Sequence, residues 1–547
     1  MKKRFPNKKN ILLVNITRLG DMLQATPTIA GMRQENPGCR VTVVVEKQFE
    51  SICKIIPGID EVISLDLGMT VRSLAREQEG IVDAYEYFSE FVEDLRKRKF
   101  DYCLNMSSSA YTAMLLRLLD IKANGGWTAD EEGHRIIESD WARLFASSVF
   151  HQNRQYNALN LVDVFRCSAD VEQHPNHLLL DVPEAEQAYA SEMLTSAGFA
   201  NHGPLIAIQA GASQNKRQWA PRNFIQFINI LTGTHAARVV LTGTKKELPI
   251  IEEIYRGCDP HNVLIAASRT NVPQLAALLK ACDILITGDT GPMHIAAAVG
   301  TPSIAMFLAS AFGFETGPYS EGNIVLQPVI GCGPCNPNKP CARPDCHDCI
   351  APQALAELTA LRLKGDVREL PSRLLESSRV LAYRTCFDKF GFYDQQCLSD
   401  PRFDLLKTYR DAYRRLWLDD LGGYPQDNCP ADIENMPRSL VIEGSAEVIQ
   451  MAEAGGHMMQ RLIGLIKDVS SVPRLMGELT EQLSEIDRDI EQVGFRVSCL
   501  GPVTRMFIFA KENLSGSDAL GLASQMAGVY ADLKRRCLKL NYYYSHK

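Results

Sequence analysis

The stretch ILITGDTGPMHIAAAVGTPSIAMF, residues 284–307, decides the fold. An apolar segment, Ile284–Thr287, leads through a glycine-flanked turn into a helix of small residues, and a second apolar segment, Ser303–Phe307, follows. Buried strands joined by a tight turn and a helix indicate a parallel sheet covered on both faces. Backbone N–H groups and the helix dipole meet at such a turn, so it also predicts an anion site.

The same alternation extends in both directions along the chain and predicts an α/β protein with two doubly wound units. Further strands of the second unit are predicted at Leu205–Gln209, Arg238–Thr242 and Asn262–Ala266, with helices between them. The first unit begins with the apolar runs Ile11–Ile16 and Val41–Glu46. Because ligands bind at the carboxyl ends of parallel strands, two such units in tandem predict an active site in the cleft between them.

We divide the chain into four parts: a first Rossmann-like domain over 1–180, a second over 181–327, a cysteine-rich segment over 328–350 and a helical extension over 351–547. In the extension, one apolar stripe at helical spacing comprises Leu475, Leu479, Leu483, Ile486, Ile490 and Val493. It predicts a helix packed against the chain's own helices.

Composition narrows the function classes. The 547 residues carry a net charge of -7, which argues against a general nucleic-acid binder. No apolar run approaches the ~20 residues that span a bilayer, and no secretory signal is recognisable, so we expect a cytoplasmic protein. The basic N-terminus either solubilises the chain or touches the inner face of the inner membrane. Its charged residues are Lys2, Lys3, Arg4, Lys8 and Lys9.

The first apolar run ends in a turn with a candidate catalytic group, Thr17-Arg18-Leu19-Gly20-Asp21. Gly20 allows a close approach between backbone and ligand, and Asp21 falls at a helix start, where the dipole stabilises its ionised form. A carboxylate that faces the cleft could act as a general base. An N-cap without a catalytic role is the alternative.

Three turns of the second unit supply residues that could bind a nucleotide. At the helix start after residue 288, Thr290 and Gly291 can donate N–H groups to phosphate, and His294 either faces that ligand or is a buried structural histidine. Lys216 or Arg217, after an earlier strand, could neutralise a pyrophosphate. Glu247 could accept ribose hydroxyls, with a plain surface glutamate as the alternative.

The cysteines between residues 328 and 350 form two C-x-x-C pairs, Cys332 with Cys335 and Cys346 with Cys349, and Cys341 lies between the pairs. Paired motifs of this kind indicate a metal site, because four thiolates can surround one tetrahedral ion. We expect structural zinc or iron that ties this segment together. Reduced thiols without metal are the alternative.

Four stretches resemble glycosyltransferase family 9, the ADP-heptose:lipopolysaccharide heptosyltransferase family. TRLGD with the following MLQATPTIAGMR is similar to the opening of that family, and GASQNKRQW, LTGTKKE and GDTGPMHIAAAVGTPSIAMF resemble its donor half. The resemblance extends over about residues 10–350. The cysteine-rich segment is similar to the one through which autotransporter heptosyltransferases hold iron.

The resemblance implies a GT-B fold and an inverting transfer of heptose from ADP-heptose. Asp21 would deprotonate the acceptor hydroxyl and Lys216 would stabilise the departing diphosphate, so that no catalytic metal is expected. The family usually has lysine two residues before the tryptophan, whereas this chain has Arg217 there, so either cation remains a candidate. The implied donor-binding residues are Thr17, Arg18, Gly20, Ser213, Arg217, Glu247, Asp289, Thr290, Gly291 and His294.

The sequence leaves the acceptor open. Lipopolysaccharide core is the leading hypothesis, and a protein acceptor of the autotransporter or flagellin type is the second. A third hypothesis belongs to another class of protein, namely a non-catalytic nucleotide-sugar-binding scaffold whose helical extension recruits partners. The oligomeric state also stays open.

Overall fold

The computed structural model describes residues 8–76, 80–121, 123–149, 152–199, 203–371, 374, 379–400, 404–424, 438–468 and 473–545. These residues form two α/β sheets and a set of long C-terminal helices. Within these ranges, no helix combines the length and the apolar character needed to cross a bilayer.

The first sheet has the strand order β3-β2-β1-β4-β5-β6, and all its pairs are parallel except β5 with β6. Ile11, Leu12, Leu13 and Val14 in β1 are all fully buried, as expected for a central strand covered on both faces. The strands are β1 (Asn10–Asn15), β2 (Arg40–Glu46), β3 (Glu61–Leu65), β4 (Tyr102–Asn105), β5 (Asn124–Ala129) and β6 (Arg135–Ile137). The helices are α1 (Leu19–Gln24), α2 (Thr26–Glu35), α3 (Glu50–Cys53), α4 (Leu67–Leu74), α5 (Gly80–Lys97), α6 (Ala110–Leu119), α7 (Asp140–Ser148) and α8 (Leu161–Ser168).

The second sheet has the order β14-β13-β12-β11-β10-β7-β8-β9. Its strands are β7 (Leu205–Gln209), β8 (Arg238–Thr242), β9 (Val263–Ile265), β10 (Ile284–Gly288), β11 (Ser303–Met306), β12 (Ile324–Pro328), β13 (Val380–Phe387) and β14 (Tyr393–Cys397). Its helices are α9 (Glu184–Ser196), α10 (Pro221–His235), α11 (Leu248–Arg256), α12 (Val272–Lys280), α13 (Gly291–Val299), α14 (Gly313–Thr316) and α15 (Pro352–Lys364). The strands predicted in this unit are therefore confirmed.

The structure differs from the predicted division at residues 380–397, which the sequence placed in the helical extension. They form the strands β13 and β14, which add an antiparallel hairpin to the edge of the second sheet. Arg384 hides this strand in the sequence, because a buried arginine is unusual in a sheet. Here its guanidinium is compensated by Asp366 at 2.7 Å and Glu321 at 3.1 Å.

The C-terminal helices are α16 (Lys407–Gly422), α17 (Arg438–Lys467), α18 (Pro473–Arg496), α19 (Gly501–Glu512) and α20 (Ala519–Ser545). The apolar stripe predicted in α18 is confirmed, because Leu479, Leu483, Ile490 and Val493 are buried. Arg414 of α16 donates to the carbonyls of Ala158 in the first domain and Tyr393 in β14. The extension therefore contacts both α/β units.

Only part of the basic N-terminus lies in the described residues. Lys8 is buried, its ammonium donates to the Ala169 carbonyl at 3.2 Å, and it lies 4.1 Å from the centre of the Tyr102 ring. Lys8 therefore packs against the first domain rather than facing a membrane. Lys2, Lys3 and Arg4 lie outside the described residues.

A buried ion pair joins the two α/β units. Arg154, which precedes α8, donates to both carboxylate oxygens of Glu315 in α14, at 2.8 and 3.0 Å. The two side chains are only 9% and 6% exposed. Nearby, the Tyr319 hydroxyl donates to Asp163 of α8 at 3.0 Å. These contacts fix the second unit against the helix that ends the first.

We expect Arg154→Met to destabilise the protein by about 3–5 kcal/mol, because the change leaves the Glu315 carboxylate buried without its partner. Urea unfolding followed by circular dichroism measures the loss. Arg474→Met is the matched control, since Arg474 forms an exposed pair with Glu478 that is worth at most about 1 kcal/mol. Combining Glu315→Gln with Arg154→Met should restore part of the stability. Equal destabilisation by Arg154→Met and by Arg474→Met would contradict this account.

Candidate active site

A cleft of about 780 Å³ separates the two sheets at the carboxyl ends of their strands. One wall is the turn between β1 and α1, and the other is formed by the turns after β7, β8, β9 and β10. Candidate residues that line it are Arg18, Gly20, Asp21, Ser213, Arg217, Glu247, Asp289, Thr290, Gly291 and His294. Thr17 and Lys216 are not among the described residues that line the cleft.

Asp21 lies in the first turn of α1 and faces the second sheet. Burial raises the pKa of the Asp21 carboxyl, and the nearby charge of Asp289 acts in the same direction. A hydrogen bond from the Thr17 hydroxyl at 2.5 Å and the charge of Arg18 oppose that rise. A carboxylate with a raised pKa is a stronger base than one in water, so Asp21 has the properties of a general base.

The two walls approach each other where α1 faces α13, and Gly20 makes this approach possible. A Cβ atom on Gly20 would lie 2.9 Å from Cδ2 of His294, too close for any side chain. Burial lowers the pKa of His294 to about 4, so the ring is neutral near pH 7. Its Nδ1 is buried, with no hydrogen-bond partner among the described residues. His294 therefore lines the cleft as a neutral group.

The β10–α13 turn presents a charged pair to the cleft. Asp289 accepts hydrogen bonds from Arg217 at 3.3 Å and from the Thr316 hydroxyl at 3.2 Å. Arg217 also donates through Nε to the Ser310 hydroxyl at 2.9 Å. The Thr290 hydroxyl lies 2.9 Å from the Thr287 hydroxyl, and the Gly291 N–H at the start of α13 has no partner within the helix. The N-terminus of α13 therefore lies beside a guanidinium that the turn after β7 supplies and that Asp289 and Ser310 hold in place.

Lys216 and Arg217, the two cations that the sequence offers for a diphosphate, lie in different places. Arg217 lines the cleft, and its side chain is 12% exposed. The Lys216 ammonium points the other way and donates to the carbonyls of Asn336, Pro337 and Lys339 at 3.0, 3.0 and 2.7 Å. An ammonium has three N–H donors, so all of them are used. The geometry therefore favours Arg217 as the cation that meets a diphosphate.

Glu247 lines the cleft at the end of the turn after β8. One of its oxygens accepts from the backbone N–H and hydroxyl of Thr244 at 2.7 and 2.8 Å, and the other accepts from Gln209 at 3.0 Å. These bonds hold the carboxylate in one orientation. Since a carboxylate has about four lone-pair sites, it can still accept ribose hydroxyls.

Sequence reasoning missed the part of the cleft that follows β9. Ser268, Thr270, Asn271, Val272 and Leu275 line it together with Gln24 of α1. They carry no charge and match no motif. The one available signal was Asn271, whose side chain accepts from the Gln274 N–H as an N-cap and therefore marks a helix start at the same edge of the sheet.

The five cysteines of residues 328–350 share one patch. Burial and the neighbouring Cys332 thiol raise the pKa of Cys335 to about 11, and Cys341 and Cys346 lie near enough to contribute. Thiols of this number suit zinc or iron. In the described ranges, however, no three His, Cys, Asp or Glu side chains come together in an arrangement that could hold an ion. The donor chemistry thus fits a metal, whereas the side-chain arrangement is not that of a formed site.

Residues 88–344 match the family model "Glycosyltransferase family 9 (heptosyltransferase)". Lipopolysaccharide heptosyltransferase 3 of Escherichia coli is 26% identical over 292 residues, which cover 53% of this chain and 81% of that protein. Lipopolysaccharide heptosyltransferase 2 of Salmonella typhimurium is 22% identical over 331 residues, with 59% and 88% coverage. The matched family range begins after the turn that carries Asp21.

The fold also has a solved counterpart. A glycosyl transferase family 9 structure from Veillonella parvula superposes with a TM-score of 0.53 at 17% identity, over 66% of this chain and 99% of that one. The predicted GT-B arrangement of two α/β units facing a cleft, followed by a helical extension, is confirmed. Residues 88–344 therefore form a glycosyltransferase family 9 domain, and the protein is a glycosyltransferase.

Proposed function

We propose that the protein transfers heptose from ADP-heptose to a hydroxyl group of lipopolysaccharide core, with inversion at the anomeric carbon. The observation that supports this most directly is the opposition, across one cleft, of a half-buried carboxylate, Asp21 after the first strand, and a helix-start turn of the second sheet. Both relatives described above are named as lipopolysaccharide heptosyltransferases.

The donor fits the second wall of the cleft. The volume of about 780 Å³ lies within the range of roughly 300–1,000 Å³ typical of small-molecule sites. The diphosphate would lie against the start of α13 and the Arg217 guanidinium, which can bind two phosphate oxygens at once. Glu247 would accept the ribose hydroxyls, and the uncharged residues that line the cleft after β9 would enclose the adenine base. Ser213 and Thr290 complete the phosphate side.

The transfer step needs one base and one stabilised leaving group. Asp21 takes the proton of the acceptor hydroxyl as that oxygen attacks the anomeric carbon. The bond from this carbon to the diphosphate breaks on the opposite face, and ADP departs with the electron pair. Arg217 and the N–H groups of α13 stabilise the negative charge that develops on ADP. His294, being neutral, would orient the sugar by hydrogen bonding.

The test is ADP release from ADP-heptose in the presence of a heptose-deficient lipopolysaccharide core. Asp21→Asn should lower kcat by about 10²–10⁴-fold, because the amide cannot take the proton. Asp259→Asn, a change at an exposed carboxylate, is the matched control and should retain full activity. ADP binding should survive in Asp21→Asn.

Two results would contradict the proposal in different ways. Unchanged turnover in Asp21→Asn would exclude Asp21 as the base. Tight binding of ADP-heptose by the wild-type protein, without turnover on lipopolysaccharide core or on protein acceptors, would favour a binding scaffold. Turnover on a protein acceptor alone would support the proposed heptose transfer but show that the acceptor is a protein and not lipopolysaccharide core.

The pH dependence of kcat/KM gives an independent prediction. Because the pKa of Asp21 is raised, activity should fall as the pH drops through a value above that of an ordinary aspartate. Thr17→Val removes a hydrogen bond that lowers this pKa, so the acidic limb should move to higher pH. Thr17→Ser keeps the hydroxyl and should leave the limb in place. A shift to lower pH in Thr17→Val would contradict the assignment of the limb to Asp21.

We also propose that Cys332, Cys335, Cys346 and Cys349 hold one structural zinc or iron ion, with Cys341 as the alternative ligand. Elemental analysis of protein purified without added metal should find about one ion per chain. The double change Cys346→Ser and Cys349→Ser should remove it, whereas Cys258→Ser, far from this segment in the sequence, should not. A folded, metal-free wild-type protein would contradict this proposal.

A further inference from the structure

The cysteine-rich segment contacts the turn that carries Arg217, and Lys216 forms the main link. Its ammonium is held by three carbonyls of the loop at 336–339, at 2.7 to 3.0 Å. Hydrogen bonds from a charged donor are stronger than those between neutral groups. Three of them on one ammonium make Lys216 a strong attachment point for this loop.

A second set of contacts fixes the other end of the segment. The His347 ring nitrogen Nε2 lies 2.9 Å from the Lys216 carbonyl oxygen. The Trp219 indole donates to the His347 carbonyl at 3.0 Å, and this tryptophan is only 1% exposed. Residues 216–219 are therefore bonded to the cysteine-rich segment both before Arg217, through the Lys216 carbonyl, and after it, through the Trp219 indole.

The segment also reaches Arg217 from its other side. The Cys335 N–H donates to the Ala309 carbonyl at 2.9 Å. The next residue, Ser310, is fully buried, and its hydroxyl accepts from Arg217 Nε at 2.9 Å. Arg217 thus belongs to one stretch, 216–219, and donates to a second, 309–310, and each of them is bonded to the cysteine-rich segment.

We propose that the cysteine-rich segment is part of the donor site and that Lys216 is a positioning residue, which holds Arg217 towards the diphosphate without touching it. The identity of the ligand rests on the proposed function. A lysine that stabilised the leaving group directly would need a free N–H donor, whereas all three donors of Lys216 are engaged on the far side of its backbone. Changes in the cysteine-rich segment should therefore alter donor affinity.

Hydrogen exchange and ADP calorimetry on the same variants test this proposal. In Lys216→Met, hydrogen exchange of the backbone amides at 332–341 should become faster by about tenfold or more, because several charge-assisted hydrogen bonds are lost. The affinity for ADP should fall by a similar factor of about tenfold or more. Lys216→Arg keeps a charged donor group and should recover most of both. Lys246→Met is the control, because Lys246 is exposed and does not line the cleft.

The outcomes separate the possible roles of Lys216. Normal exchange at 332–341 with a reduced kcat in Lys216→Met would mean that the ammonium acts directly on the leaving group, which overturns the proposal. Faster exchange with unchanged ADP affinity would show that the segment is not part of the donor site, and would overturn it equally. Absence of ADP binding by the wild-type protein would instead refute the proposed function.

Should Lys216→Met fail to fold, Lys216→Gln and Ser310→Ala replace it. The glutamine keeps two N–H donors and should give intermediate values of exchange and affinity. Ser310→Ala removes the acceptor for Arg217 Nε, so it should weaken ADP binding while leaving exchange at 332–341 as in the wild type. Unchanged ADP affinity in Ser310→Ala would contradict the proposed route to Arg217.

Discussion

The close approach of two helix starts, α1 from the first sheet and α13 from the second, is the constraint on which the site depends. Two glycines permit it. A Cβ on Gly20 would meet the His294 ring at 2.9 Å, and one on Gly291 would meet Leu19 Cδ2 at 3.0 Å. With larger residues the walls would separate, and Asp21 would no longer face the α13 turn. The separation between Asp21 and the α13 turn is thus set by the packing of each glycine against a side chain of the opposite helix.

Contacts away from the cleft hold this approach in place. The Arg154–Glu315 pair lies between the units, and Arg414 of the extension bonds to backbone on both sides. Because these charges are buried, any opening of the units that broke a pair would leave an uncompensated charge. The C-terminal helices therefore belong to the framework of the cleft, although they line none of it among the described residues.

The sequence predicted the central strands and the two turns well, since continuous apolar runs and glycine-flanked helix starts are local signals. It did not predict β13, whose burial of Arg384 depends on carboxylates distant in the chain. Nor could spacing separate Lys216 from Arg217. Adjacent residues in a short turn point in different directions, and the carbonyls that attract Lys216 come from more than a hundred residues later. Polarity and spacing do not encode such contacts.

In the proposed mechanism, the charges of the cleft link donor binding to the basicity of Asp21. Arg217 and Arg18 face Asp289 and Asp21, and the Asp289 charge already raises the pKa of Asp21. A diphosphate bound beside Arg217 would add negative charge on the same side and raise that pKa further. Asp21 would then be a stronger base with the donor bound than in its absence. The electrostatic field of the leaving group would in this way favour removal of the acceptor proton only once a sugar is in place to receive the attack.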